Sequence, residues 1–164
     1  MVQNRYLIVD LAFLTMRCLG DIMNKIIALL SVFLLLLAPL TRAETLYIIA
    51  HKGVFSTQKD KKEIADFYLL KLKINADGQN VIPINLPFNH PLRSKFSLSI
   101  FNRSPEALSE YWDRMSFRGV KPPVIQSSEQ AVMLFVSRVN GAIGYVSKKP
   151  SEKLNIDVLG EIIL

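Results

Sequence analysis

An almost unbroken apolar run, Ile26 to Leu37, follows Met23-Asn24-Lys25 and gives way to Ala38-Pro39-Leu40-Thr41-Arg42-Ala43. A basic start, an apolar centre and a small residue at the end make the three-part layout of a secretory signal peptide. The run is about twelve residues long, against the ~20 that a helix needs to cross a bilayer, so it reads as a cleaved signal and not as an anchor. Cleavage is expected between Ala43 and Glu44. Residues 23–43 are thereby assigned to targeting, and residues 44–164 must build the core. Residues 1–22 fit no part of the layout and read as an extension from an early start site, with Met23 as the initiator.

The chain's one cysteine, Cys18, falls in that extension. Residues 44–164 therefore have no disulfide, thiol nucleophile or Cys-based zinc site open to them, and their stability must come from packing. About 120 residues suffice for one core but not for two substantial lobes. The formal net charge of +6, from 20 Lys and Arg against 14 Asp and Glu, is spread along the chain. That favours loose attraction to anions or acidic partners and nothing more specific.

Leu46-Tyr47-Ile48-Ile49-Ala50 is a continuous apolar run of β-favouring residues, as suits a strand covered on both faces. Between Lys59 and Leu70, Ile64, Phe67 and Tyr68 recur at helical spacing among charged residues. A turn at Asn75-Ala76-Asp77-Gly78 precedes a second strand, Val81 to Ile84, in which Pro83 predicts an edge or a strand end. Pro91 opens a helix with Leu92, Phe96 and Ile100 on its inner face. Ser104-Pro105 starts another, whose stripe of Leu108, Tyr111, Trp112 and Met115 predicts core packing.

Arg118-Gly119 ends that helix, and Pro122-Pro123 opens an extended segment. Ser127-Ser128-Glu129 starts a helix carrying Val132, Phe135, Val136 and Val139, which stops at Asn140-Gly141, a pair suited to a left-handed C-cap. Strands follow at Ala142 to Val146 and near Ile156 to Leu159. Helices returning between apolar strands predict an α/β domain with a mixed sheet flanked by helices.

Catalytic signatures are missing: there is no Gly-x-Ser-x-Gly elbow, phosphate loop, His-Glu-x-x-His or Gly-x-Gly-x-x-Gly. His51 and His90 stand in separate loops with no obvious carboxylate partner, a poor basis for a zinc site. No enzymatic activity, metal or cofactor is expected. Tyr111, Trp112, Arg114, Phe117 and Arg118 mix aromatic and basic residues as nucleic-acid surfaces do, but their helical spacing assigns the aromatics to packing, so no nucleic-acid partner is expected. Asn89-His90-Pro91 at a helix start, with Arg93 in the first turn, offers backbone N–H groups, a helix dipole and a guanidinium to an anion. The bland alternative makes His90 a loop residue and Arg93 a surface or structural ion-pair partner.

Several segments, in order, resemble the short stand-alone relatives of the periplasmic phosphate-binding proteins of ABC transporters. Ile64-Ala65-Asp66-Phe67-Tyr68-Leu69-Leu70-Lys71 is similar to the family's Ile-Phe-Leu-Gly-Lys helix end. Asp77-Gly78 and Val81 to Ile84 match its turn and strand, and Pro91-Leu92-Arg93-Ser94-Lys95-Phe96 its Pro-hydrophobic-Arg-x-x-Phe. Tyr111-Trp112 through Phe117-Arg118-Gly119, with Pro122-Pro123, is similar to its Tyr-Trp, Phe-x-Gly and Pro-Pro stretch. Gly141 to Val146 resembles its Pro-Gly-Ala-Ile-Gly-Tyr-Val segment, with Asn140 in place of the proline.

The resemblance implies a single lobe of the type II periplasmic binding-protein fold, in a periplasmic solute-binding-like protein. Its ligand would be a small oxyanion and its partner a membrane transporter or another periplasmic protein. The family's solute loop is rich in Gly and Ser. Here it reads Leu86-Pro87-Phe88-Asn89-His90-Pro91, and Asn89, His90 and Arg93 stand as the candidate ligand-binding residues. A homodimer could rebuild a two-lobed cleft. The alternative is a protein-interaction or regulatory module that has lost solute binding.

Overall fold

The computed structural model describes residues 44–56 and 58–164, with the isolated positions 25, 29 and 30. The segments expected to be a signal peptide and an early-start extension, Cys18 among them, lie outside the described residues, those three positions apart. Ala43–Leu164 forms one compact unit.

Five strands and four helices follow one another along it. Strand β1 (Thr45–His51) leads to helix α1 (Lys61–Tyr68) and strand β2 (Ile82–Asn85). Helices α2 (Pro91–Phe101) and α3 (Pro105–Ser116) precede the two-residue strand β3 (Val124–Ile125). Helix α4 (Glu129–Arg138), strand β4 (Ala142–Val146) and strand β5 (Ile156–Ile163) complete the chain.

The sheet order is β3-β2-β4-β1-β5. Strand β2 runs parallel to β3 and β4, while β1 is antiparallel to β4 and β5. Parallel neighbours need long crossovers: α2 and α3 carry the chain from β2 to β3, and α4 carries it from β3 to β4. The expected mixed sheet flanked by helices is therefore what forms.

Helices cover both faces because successive residues of a strand point opposite ways. At Gly144 the sheet meets α4 so closely that a Cβ would lie 2.5 Å from Val132 Cγ1 and 3.3 Å from Val136 Cγ2. One residue on, Tyr145 faces the other layer, where its ring stacks on Phe96 of α2 at 4.0 Å and 4°. Tyr68 of α1 packs on Phe96 at 4.6 Å, and its hydroxyl donates to the Ile84 carbonyl at 3.0 Å. Strand β1, between β4 and β5, contributes Leu46, Ile48, Ile49 and Ala50, all fully buried.

One expectation is corrected and others are made more definite. The stripe on α3 is not core: Leu108 is buried, as is Pro105 at the helix start, whereas Tyr111, Trp112 and Met115 are half-buried. Helical periodicity names the covered face but not its depth. This helix packs at the periphery, where the Tyr111 hydroxyl donates to the Leu69 carbonyl at 2.7 Å and ties it to the end of α1.

Of the two places expected for Pro83, an edge strand or a strand end, it takes the second: β3 adds outside β2, and Pro83 is the second residue of Ile82–Asn85. The Ile82 N–H donates to the Gly141 carbonyl on the β4 side, so the Pro83 nitrogen faces the other side. There β3 starts only at Ile84, and no ladder bond is forfeited.

Of the pair Asn140-Gly141, the left-handed residue is Gly141, with φ +83°. Strand β3, unassigned in the sequence, forms within the extended segment after Pro122-Pro123. The last strand also runs on to Ile163.

Candidate functional site

Because β2, β3 and β4 are parallel, their carboxyl ends share one edge of the sheet, where ligands of open α/β sheets bind. Leu86 to His90 leaves β2 there and enters α2. Gln126 to Ser128 leaves β3 and enters α4, and Ser147 follows β4. The first two segments are tied together by the Gln126 N–H, which donates to the Asn85 carbonyl at 2.9 Å.

Asn89, His90 and Arg93 fall together here. Asn89 is exposed at the tip of the loop. His90 is the N-cap of α2: its Nδ1 accepts from the Leu92 N–H at 3.2 Å, and its carbonyl accepts from the Arg93 N–H at 3.0 Å. Pro91 has no N–H, so His90 satisfies the helix's next two donors from within the chain.

Arg93 turns back towards the loop. Its guanidinium donates to the Leu86 carbonyl at 2.7 Å and lies 5.7 Å from the centre of the half-exposed Phe88 ring. Among the described residues it makes no salt bridge. Burial lowers its pKa from the ordinary guanidinium value, and Tyr145 partly offsets this; the group stays cationic at neutral pH.

Other side chains meet at the same edge. The Asn85 carboxamide oxygen accepts from the Leu86 N–H at 3.1 Å and from the Tyr145 hydroxyl. Burial pushes the Tyr145 phenol far above its usual range; the Leu86 N–H and the Arg93 charge pull it down, and Glu129 pushes it further up. Glu129, in the first turn of α4, accepts from both the N–H and the hydroxyl of Ser147, at 2.6 and 2.7 Å. Asn85, Tyr145 and Glu129 escape the sequence reading because they reach this edge from three separate segments. Only the helix-start signal at Ser128-Glu129 pointed towards it.

The remaining candidates lie apart. The His51 Nδ1 is 2.9 Å from the Val136 carbonyl, and its Nε2 is 3.1 Å from the Asn155 side-chain nitrogen, with nothing joining it to His90. Among the described residues, no three His, Cys, Asp or Glu side chains group as metal ligands. None of the described helices is long and apolar enough to cross a membrane. Phe117, at the end of α3, is 94% exposed.

No protein-family model matches the chain, and no curated protein sequence matches it. Solved structures do. A protein from Clostridium perfringens, described as a phosphate ABC transporter substrate-binding protein and solved with bound phosphate, matches 71% of this chain with a TM-score of 0.56 at 16% identity. An ABC-type phosphate transport receptor from Vibrio cholerae matches 71% with a TM-score of 0.55 at 13% identity. The chain spans less than half of either protein, 44% and 45% of their lengths. With its five-stranded mixed sheet flanked by helices, the domain therefore has the fold of one lobe of a type II periplasmic binding protein.

Proposed function

We propose that this chain is a periplasmic solute-binding-type protein that takes a small oxyanion of the phosphate kind at the Asn89–Arg93 loop and acts beside an ABC transporter. In this reading residues 23–43 are a signal peptide removed after Ala43, residues 1–22 are absent from the native product, and residues 44–164 are the working domain. Its role is to bind and not to catalyse. The observation that carries the reading is Arg93, a half-buried guanidinium with no salt bridge among the described residues, at the carboxyl edge of the parallel strands. The fold shared with two proteins described as phosphate transport components supports it.

A guanidinium can grip an oxyanion through two parallel hydrogen bonds. Asn89 is exposed and can add its amide, while the His90 ring, with Nδ1 accepting from Leu92, has Nε2 for the ligand. Residues 44–164 by themselves leave one side of the ion in water, where each hydrogen bond competes with solvent, so their binding is weak unless a second copy faces the first. Calorimetric titration with phosphate and sulfate tests this. Saturable heat is expected, abolished by Arg93→Ala and weakened by Arg93→Lys, which keeps the charge but loses the fork. Silence across the panel at millimolar anion would overturn the reading and leave a protein-interaction module in its place. Light scattering with and without phosphate tests the facing copy: a larger mass with the anion supports a rebuilt cleft, and an unchanged monomer mass rules it out.

A further inference from the structure

Helix α2 links the Arg93 loop to a second surface. Its carboxyl end lies roughly 16 Å further on, at 1.5 Å per residue. There α1, α2 and α3 border an open groove of about 590 Å³. Half-buried Leu69 and Phe101 and buried Leu108 give it an apolar floor. Lys61, Lys62, Lys71 and Arg103 line it as cations, with Asp66 as the acid among them.

That charge is not used up internally. The Asp66 carboxylate is shared between Lys62 at 3.6 Å and Lys71 at 3.7 Å. Lys61 and Arg103 make no ion pair among the described residues. Helix polarity accounts for only half of the pattern. Lys71 and Arg103 follow the ends of α1 and α2, where a cation suits the dipole, but Lys61 and Lys62 occupy the first turn of α1, where it opposes them. Both helices also end in left-handed non-glycine residues, Leu70 at φ 55° and Asn102 at φ 52°. Each is followed at once by a groove cation, Lys71 or Arg103.

We propose that this groove docks an acidic amphipathic segment of a partner protein, its apolar side chains on the Leu69–Phe101–Leu108 floor and its carboxylates on the cationic rim. A bare anion would leave the apolar floor unused, and a purely apolar segment would leave Lys61 and Arg103 unmatched, with Lys62 and Lys71 sharing the single Asp66 carboxylate. The occupant that satisfies both carries leucine-like and acidic residues on one face. This docking is independent of oxyanion binding at Arg93.

The test titrates the full chain with three synthetic helix-forming peptides: a Leu stripe bordered by Glu, the same stripe bordered by Lys, and a Glu peptide without Leu. Saturable binding of the Leu/Glu peptide is expected. It should weaken by about tenfold in the Lys61→Glu/Arg103→Glu double variant and in high salt, and should be unchanged in Arg93→Ala. Both rim substitutions are on exposed side chains, and circular dichroism confirms that the variant is folded. The proposal is overturned if the Leu/Glu peptide does not bind saturably, or if the double variant binds it as well as the parent. Equal binding of either control peptide overturns it too. Anionic lipid vesicles that displace the Leu/Glu peptide would assign the groove to a membrane surface instead.

Discussion

At Gly141 a Cβ would lie 2.1 Å from the Asn80 carbonyl oxygen, and the backbone turns with φ +83°. Neither fact tolerates a side chain, and the Gly141 carbonyl also accepts the bond that starts the pairing of β2 with β4. Gly141→Ala is expected to cost about 2 kcal/mol or more, read from the urea midpoint; an unchanged midpoint would mean the two segments part freely. Leu70 is the opposite case. The Leu70 N–H donates to Phe67 O and the Lys71 N–H to Asp66 O, the pattern of a Schellman cap. A leucine therefore sits at φ 55° where glycine is the usual residue, and where the helix-end motif that this segment resembles has its glycine. Leu70→Gly is expected to raise the thermal midpoint, by about 0.5–1 kcal/mol in stability, because relief of the left-handed strain outweighs the packing of a half-buried leucine side chain; a lower midpoint would show that the packing outweighs the strain. The sequence marked Asn140-Gly141 as a pair suited to a left-handed C-cap, but the lack of room for a Cβ at Gly141 comes from Asn80, in a distant segment.

Helix starts were legible because a cap is a local device. Ser104 accepts from the Ala107 N–H at 3.3 Å and Ser128 from the Ala131 N–H at 3.2 Å, as their Ser-first signals imply. Ser128→Ala is expected to cost about 1 kcal/mol. Because Glu129 in the same turn holds Ser147, amide exchange should also speed up around Ser147; protection unchanged there would show that the helix start and the end of β4 are uncoupled. Strand β3 was not legible. Two exposed residues carry no periodicity, and their strand character comes from Ile84 and Asn85 across the sheet. The α3 stripe failed for the complementary reason: its period is correct, but the neighbour it meets is a helix edge and not the sheet.

Across the whole domain, the stacked cluster of Tyr68, Phe96 and Tyr145 joins the helices α1 and α2 to the sheet and links the core to the candidate site. Burial raises both phenols, Tyr68 with an added push from Tyr145. Above pH ~10, where an unfolded tyrosine ionises, the folded state therefore holds more protons than the unfolded one. The stabilisation is fully present below that pH and is lost as pH rises towards the folded values. An alkaline titration should show tyrosinate absorbance from these two rings appearing together with the loss of circular dichroism. Early ionisation of every tyrosine in a folded chain would contradict the buried cluster.

The candidate site was half legible at this scale. Asn89, His90 and Arg93 lie within five residues of one another, so the loop could be named from sequence, but Arg93's turn towards Leu86 and Phe88, and the nearby Tyr145 that bonds Asn85 and feels the Glu129 charge, depend on separate segments meeting. The most direct test of oxyanion binding by this single lobe is an amide NMR titration of the chain with phosphate. The expected result is saturable shifts concentrated from Leu86 to Arg93 and absent in Arg93→Ala. Shifts that never saturate, or that gather elsewhere on the surface and persist in Arg93→Ala, would contradict it.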